Sequence, residues 1–177
     1  MQVIQHQELA SSQATIEFAS IPQTFTDLYL VLSARTNRAS VASDIYLQFN
    51  GITTATYSFR RLYGDGTGAN SDSLTNNTQG GLTAWAAAAN ATSNTFGNSI
   101  IHIPNYTSSN AKSWSADGVT ENNNTSGYQA IYAGLWSGTA AITSIQIKDY
   151  NAASFVQYTS ATLYGVLKGS DGVTTVS

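Results

Sequence analysis

The stretch DLYLVLSAR, residues 27–35, decides the fold class: Leu28, Leu30, Leu32 and Ala34 fall on one side of an extended chain and Tyr29, Val31, Ser33 and Arg35 on the other. A period of two is the signature of a β-strand with a buried face, because successive side chains of an extended chain point to opposite sides of a sheet. The same period recurs outward along the chain. Residues 44–49 place Ile45, Leu47 and Phe49 on one face, and Asn50-Gly51 follows, the dipeptide that most readily takes the positive backbone angles of a tight hairpin turn. Tyr57, Phe59, Arg61 and Tyr63 alternate next, and residues 96–103 read as a strand with Ile101 and Ile103 together.

Residues 111–121 form a weaker strand, and residues 129–136 a stronger one with Ile131, Ala133 and Leu135 expected inward. Residues 142–149, 155–157 and 161–167 complete the set. Helix evidence is confined to residues 82–89, LTAWAAAA, whose alanines favour helix intrinsically. Roughly nine to eleven short strands at near-regular spacing predict an all-β chain folded as a two-sheet antiparallel β-sandwich, of jelly-roll type. Residues 1–20 are expected to form an N-terminal arm or edge strand, and residues 21–177 a single sandwich domain. Residues 64–81, GDGTGANSDSLTNNTQGG, lack periodicity and read as a long loop that is either a binding loop or ordered by a partner.

Composition narrows the function classes. Charged residues make up 10% of the 177 residues, against roughly 25% in ordinary globular chains. Hydrophobic residues at 42% and aromatics at 11% are enough for a folded core. Low charge therefore marks a folded protein with neutral polar faces suited to contact with other subunits or with sugars. Seven Lys and Arg residues, scattered and adjacent only at Arg60-Arg61, do not make a phosphate-binding surface, so no nucleic-acid partner is expected. The absence of cysteine excludes disulfides, zinc knuckles and thiol chemistry. The start MQVIQHQELA has neither the basic opening nor the apolar stretch of a signal peptide, and no window resembles a membrane span, so synthesis in a cytoplasm and no membrane partner are expected.

Catalytic constellations are few. His6 and His102 are the only histidines, no GxSxG elbow occurs, and Gly64, Gly66 and Gly68 open no helix that could hold a phosphate. Asp117 and Glu121, four apart on a strand, stand roughly 13 Å from one another, too far for paired-carboxylate glycoside hydrolysis. Asp65 and Asp72 flank oxygen-rich loop residues, but their spacing matches no calcium-binding loop. No enzyme activity, cofactor or metal is expected. The aromatics carry the remaining signal: Tyr29, Tyr46, Tyr132, Trp85, Trp114 and Trp136 are the candidate interface or ligand-platform residues, since flat rings anchor subunit interfaces and stack on sugars.

The segments IPQTFTDLYLVLSAR (21–35), IPNYTSSNAKSWSADGVTENNNTSGYQAIYAGLWSGTAAITSI (103–145) and FVQYTSATLYGV (155–166) resemble a family of tailed-bacteriophage virion structural proteins of the cyanophage type. The resemblance spans most of the chain. It implies a jelly-roll capsid decoration or cement protein on the virion exterior, with the major capsid protein and copies of itself, as a homotrimer, for partners. Its alternative implication is a tail-fibre receptor-binding or carbohydrate-binding module that takes host glycan.

Overall fold

The computed structural model describes residues 1–123 and 126–167, and over them the chain is all-β, with two antiparallel sheets packed as a β-sandwich. The larger sheet has eight strands and uses β1 (Gln2–Glu8), β3 (Leu28–Ala34), β5 (Tyr57–Gly64), β6 (Ala69–Asn77), β8 (Gly97–Ile103), β9 (Lys112–Thr120), β10 (Tyr128–Trp136) and β12 (Ser160–Gly165). The smaller has four: β2 (Thr15–Phe18), β4 (Ala42–Phe49), β7 (Gly81–Ala87) and β11 (Ile145–Asp149). Their orders are β1-β12-β3-β8-β9-β10-β5-β6 and β2-β11-β4-β7. β1 and β2 are thus edge strands of different sheets. Residues 168–177, the end of the expected domain, lie outside the described residues, as do two positions of the turn before β10.

Strand β3 buries the face that its alternation selects: Leu28, Leu30, Leu32 and Ala34 are in the core. Strand β10 does the reverse of what its aliphatics suggest. Ala130, Tyr132, Gly134 and Trp136 face inward, while Ile131, Ala133 and Leu135 face out. Burying a Tyr and a Trp removes roughly 150–250 Å² each from water, more than the competing Ile, Ala and Leu offer together with a fit to the facing sheet.

Three further expectations are corrected. Residues 82–89 form no helix but most of β7, buried at all seven strand positions, because small Ala and Gly side chains let it lie close over β8, β9 and β10. Residues 64–81 are not a structureless loop: the segment supplies β6 and the start of β7, and its turn is held by Asp65 Oδ1, which accepts from Thr67 N (2.9 Å), Thr67 Oγ1 (2.7 Å) and Gly68 N (3.0 Å). Asn50 and Gly51 do take left-handed φ of 52° and 67°, and Phe49 O accepts from Ile52 N at 2.9 Å. Yet the turn joins no hairpin, since β4 and β5 lie in different sheets.

Tyr57 secures that crossing between sheets. Its hydroxyl accepts from Phe49 N at 2.9 Å and donates to Phe49 O at 3.3 Å. Burial pushes its pKa up to about 12, the Phe49 hydrogen bond pulling the other way, and burial also raises Tyr46, Tyr106 and Tyr132. An unfolded tyrosine ionises near pH 10, so above that pH the unfolded chain loses protons that the folded chain retains. The stabilising contribution is whole below pH 10 and is lost as pH rises through the folded values, at roughly 1.4 kcal/mol per pH unit for each such tyrosine. Urea midpoints are expected to fall between pH 10 and pH 12, and Tyr57→Phe to lower the midpoint at pH 8 while flattening the alkaline decline. A midpoint independent of pH over that range would contradict the assignment.

Candidate functional site

The outward face of the eight-stranded sheet carries the most distinctive surface of the molecule. Cross-strand register lines up Thr162, Val31, Ile100, Asp117, Ile131, Leu62 and Ser71 as one row across β12, β3, β8, β9, β10, β5 and β6. Val31, Ile100, Ile131 and Leu62 are 39%, 49%, 58% and 53% exposed. At about 4.8 Å between strands, they extend an apolar band over about 19 Å, interrupted at β9 by Asp117. Single exposed aliphatics need no explanation, but several in register on one face do.

The neighbouring row reads Val3, Tyr164, Tyr29, His102, Ser115, Ala133, Arg60 and Ser73. Tyr29 and His102 stack with ring centroids 4.5 Å apart and planes at 16°. His102 Nε2 stands 3.5 Å from Asp27 Oδ2, and Asp27 Oδ1 accepts from Asn105 N at 3.0 Å, which holds the carboxylate toward the ring. Between the two rows runs a groove of about 470 Å³ lined by Tyr29, Ile100, His102, Ser115, Asp117 and Ile131.

Asp27, His102 and Ser115 invite comparison with an acid–base–nucleophile relay, and the stacking argues against one. Tyr29 and Ser115 flank His102 on opposite sides of the ladder. A ring parallel to Tyr29 presents its face toward Ser115, whereas proton transfer needs an edge nitrogen aimed at the hydroxyl. The cluster is a flat polar–aromatic contact surface.

Of the six aromatics singled out in the sequence, Tyr29 alone lies on this face. Trp85, Trp114, Trp136, Tyr46 and Tyr132 are all buried and cannot serve as exposed platforms. They form instead three separate sets of ring contacts: Trp114 and Trp136 meet Phe49 at 5.4 and 5.7 Å, Trp85 meets Tyr132 at 6.4 Å, and Tyr46 meets Tyr150 at 6.4 Å. A large ring on the covered face of a sheet removes more area from water than any ligand contact on the open face would.

The charged groups near β6 are likewise used internally. Arg61 donates from Nε to Asp72 Oδ1 at 2.8 Å, from Nη2 to Asp72 Oδ2 at 2.7 Å and from Nη1 to Asp44 Oδ1 at 2.6 Å. Its guanidinium lies 4.5 Å from the Trp85 ring centroid. Burial alone would lower the Arg61 pKa; Asp72 and then Asp44 outweigh it and raise it. Asp72 is thereby tied to an arginine and Asp65 to its own turn, so neither presents a free oxygen set, and among the described residues no three His, Cys, Asp or Glu converge.

Sequence reading missed Ile100, Ile131 and Leu62 as surface-defining residues. A signal was present, since the strands carrying Val31 and Ile131 are apolar on both alternating faces.

No family model and no curated protein matches the chain. Among solved structures, the chain is similar to the galectin LEC-6 of Caenorhabditis elegans, at 12% identity and TM-score 0.38, over 90% of this chain and 95% of that one. It is also similar to scytalido-glutamic peptidase with a transition-state analogue inhibitor, at 15% identity and TM-score 0.34, over 94% and 84% of the respective chains.

Proposed function

We propose that this protein is a non-catalytic structural component of a bacteriophage virion, binding other protein subunits through the outward face of its eight-stranded sheet, with decoration of the capsid as its specific role. The observation that carries this reading is the exposed apolar row of Val31, Ile100, Ile131 and Leu62, interrupted only by Asp117 and flanked mostly by neutral side chains. Such a surface releases water on contact and carries little charge to desolvate, which suits permanent attachment to a protein such as the major capsid protein. The sequence resemblance supports the virion setting, and the scarcity of charge supports assembly by shape.

Purified virions are expected to carry hundreds of copies, retained through a molar NaCl wash because screened ion pairs contribute little. Ile131→Asp, which sets a second carboxylate opposite Asp117, should cost about 1 kcal/mol of thermal stability and leave the fold intact, and lower occupancy of the particle by about tenfold or more, equivalent to 1.4 kcal/mol. Quantitative mass spectrometry giving a few copies per particle, or full occupancy by the Ile131→Asp variant, would sink the reading. The Tyr29–His102 stack favours one second reading, a tail-fibre module that takes host glycan. That reading requires retention on host polysaccharide that is abolished by Tyr29→Ala and indifferent to Ile131→Asp.

A further inference from the structure

β6 ends the eight-stranded sheet, and among the described residues no strand pairs with its outer edge. β6 pairs with β5, and eight of its nine residues are exposed. In the smaller sheet, β7 lies against β3, β8, β9, β10 and β5, and the exposure of residues 69–76 shows that no layer covers β6. Open edges are ordinarily guarded by lysine, proline, bulges or inward charges. Over Ala69–Asn77 the sequence has no Lys, Arg or Pro, and its one charge, Asp72, is held by Arg61. The register shift lies opposite Tyr57–Phe59, beyond Leu74, which leaves residues 69–74 regular. By contrast β1, the opposite edge, carries a bulge between Val3 and Gln5 and ends on Glu8.

The hydrogen-bonding phase of this edge follows from the hairpin turn. Gly68 O accepts from Asp65 N at 3.4 Å, making 65 and 68 a hydrogen-bonded pair. Alternation then makes Asn70–Tyr63 and Asp72–Arg61 hydrogen-bonded pairs, and turns the N–H and C=O groups of Ala69, Ser71 and Ser73 away from β5 toward the open edge.

We infer that β6 is a self-association edge, on which the β6 strand of a second copy pairs antiparallel about a twofold axis at Ser71. The register is selected by side chains. Centring on Asp72 sets two carboxylates directly opposite one another, which is destabilising. Centring on Ser73 sets Asp72 against Leu74 and runs the ladder into the irregular residues 75–76. Centring on Ser71 places Ala69 opposite Ser73, and Asn70 opposite Asp72 twice over, so that a neutral amide donor meets a carboxylate that still has lone pairs beyond those Arg61 uses. The pairs 69–73, 71–71 and 73–69 each exchange two backbone hydrogen bonds through the groups already turned outward. The two outward faces then form one continuous sheet surface.

The chain contains no cysteine, so single cysteines report the register directly. Facing residues in a hydrogen-bonded antiparallel pair stand about 5.5 Å apart at Cα, within the disulfide range of about 4.4–6.8 Å. Ser71→Cys is expected to cross-link into dimers on mild oxidation. Ser73→Cys, displaced from its counterpart by about 13 Å, should remain single on a non-reducing gel. Sedimentation equilibrium of the unmodified protein should give the mass of two chains, and Asn70→Asp, which sets carboxylate against carboxylate, should weaken association by about tenfold or more with unchanged circular dichroism. A monomer, a trimer, or cross-linking at Ser73 in place of Ser71 overturns the inference. Ile131→Asp leaves this association intact, so failure of outward-face docking and failure of the edge pairing are separable.

Discussion

Replacing Lys112 with methionine is expected to cost about 4 kcal/mol of folding stability, because its ammonium group donates to a ring of four backbone carbonyls that have no other donor among the described residues. Lys112 opens β9 with its side chain pointing into the sandwich, 1% exposed. Its Nζ lies 2.7 Å from Ser108 O, 2.5 Å from Asn110 O, 3.1 Å from Ala140 O and 3.5 Å from Thr139 O. Two loops, 104–111 before β9 and 137–144 after β10, are thereby tied to one cation. Burial draws the lysine pKa down, and the carbonyl dipoles are what keep the charge tolerable in place of a carboxylate partner. Methionine preserves the stem and removes every N–H, leaving the oxygens without a donor. The comparison is a urea titration: the midpoint should fall with the slope unchanged, as for loss of stability without a change in exposed surface. A loss below about 1 kcal/mol would mean that water replaces the ammonium freely.

Gly134→Ala is expected to cost about 3 kcal/mol, at the upper end of overpacking effects, since neither partner can retreat. Gly134 on β10 faces Trp114 on β9 in register, and the indole lies across it. A Cβ at 134 would fall 2.0 Å from Trp114 Cε2 and 2.1 Å from Cζ2. The same ring is closed in from the other sheet, where a Cβ at Gly81 would fall 2.1 Å from Cζ2, and Phe49 meets it edge-on at 5.4 Å. Moving the indole therefore means moving two sheets. Near-ultraviolet circular dichroism should change together with the thermal midpoint, and Trp114→Leu combined with Gly134→Ala should recover part of the loss, a coupling that a double-mutant cycle reads directly. Additive losses would indicate that the ring does not rest on the glycine.

How much was legible in the residues depends on whether a signal was local. Strands β3, β5, β8, β9 and β12 were readable within a residue or three of their observed limits because alternation is a property of neighbouring positions. β6 was unreadable as a strand because an edge uncovered on both faces has no need of apolar alternation. β7 was misread for the opposite reason: a strand buried at every position shows no alternation, and its alanines imitate a helix. The outward face was half legible. Tyr29 was placed on it correctly, while the tryptophans were drawn to the core and the aliphatics of β10 left outside.

By itself, then, the sequence determined an all-β sandwich with neutral polar faces, since a period of two and a shortage of charge are properties of the chain alone. Only the tertiary structure decided which side of each strand became surface. Where both faces of a strand are apolar, the choice goes to the side whose rings and glycines interlock with the opposing sheet, as Trp114 does with Gly134 and Gly81, and that complementarity lies between residues far apart in the chain.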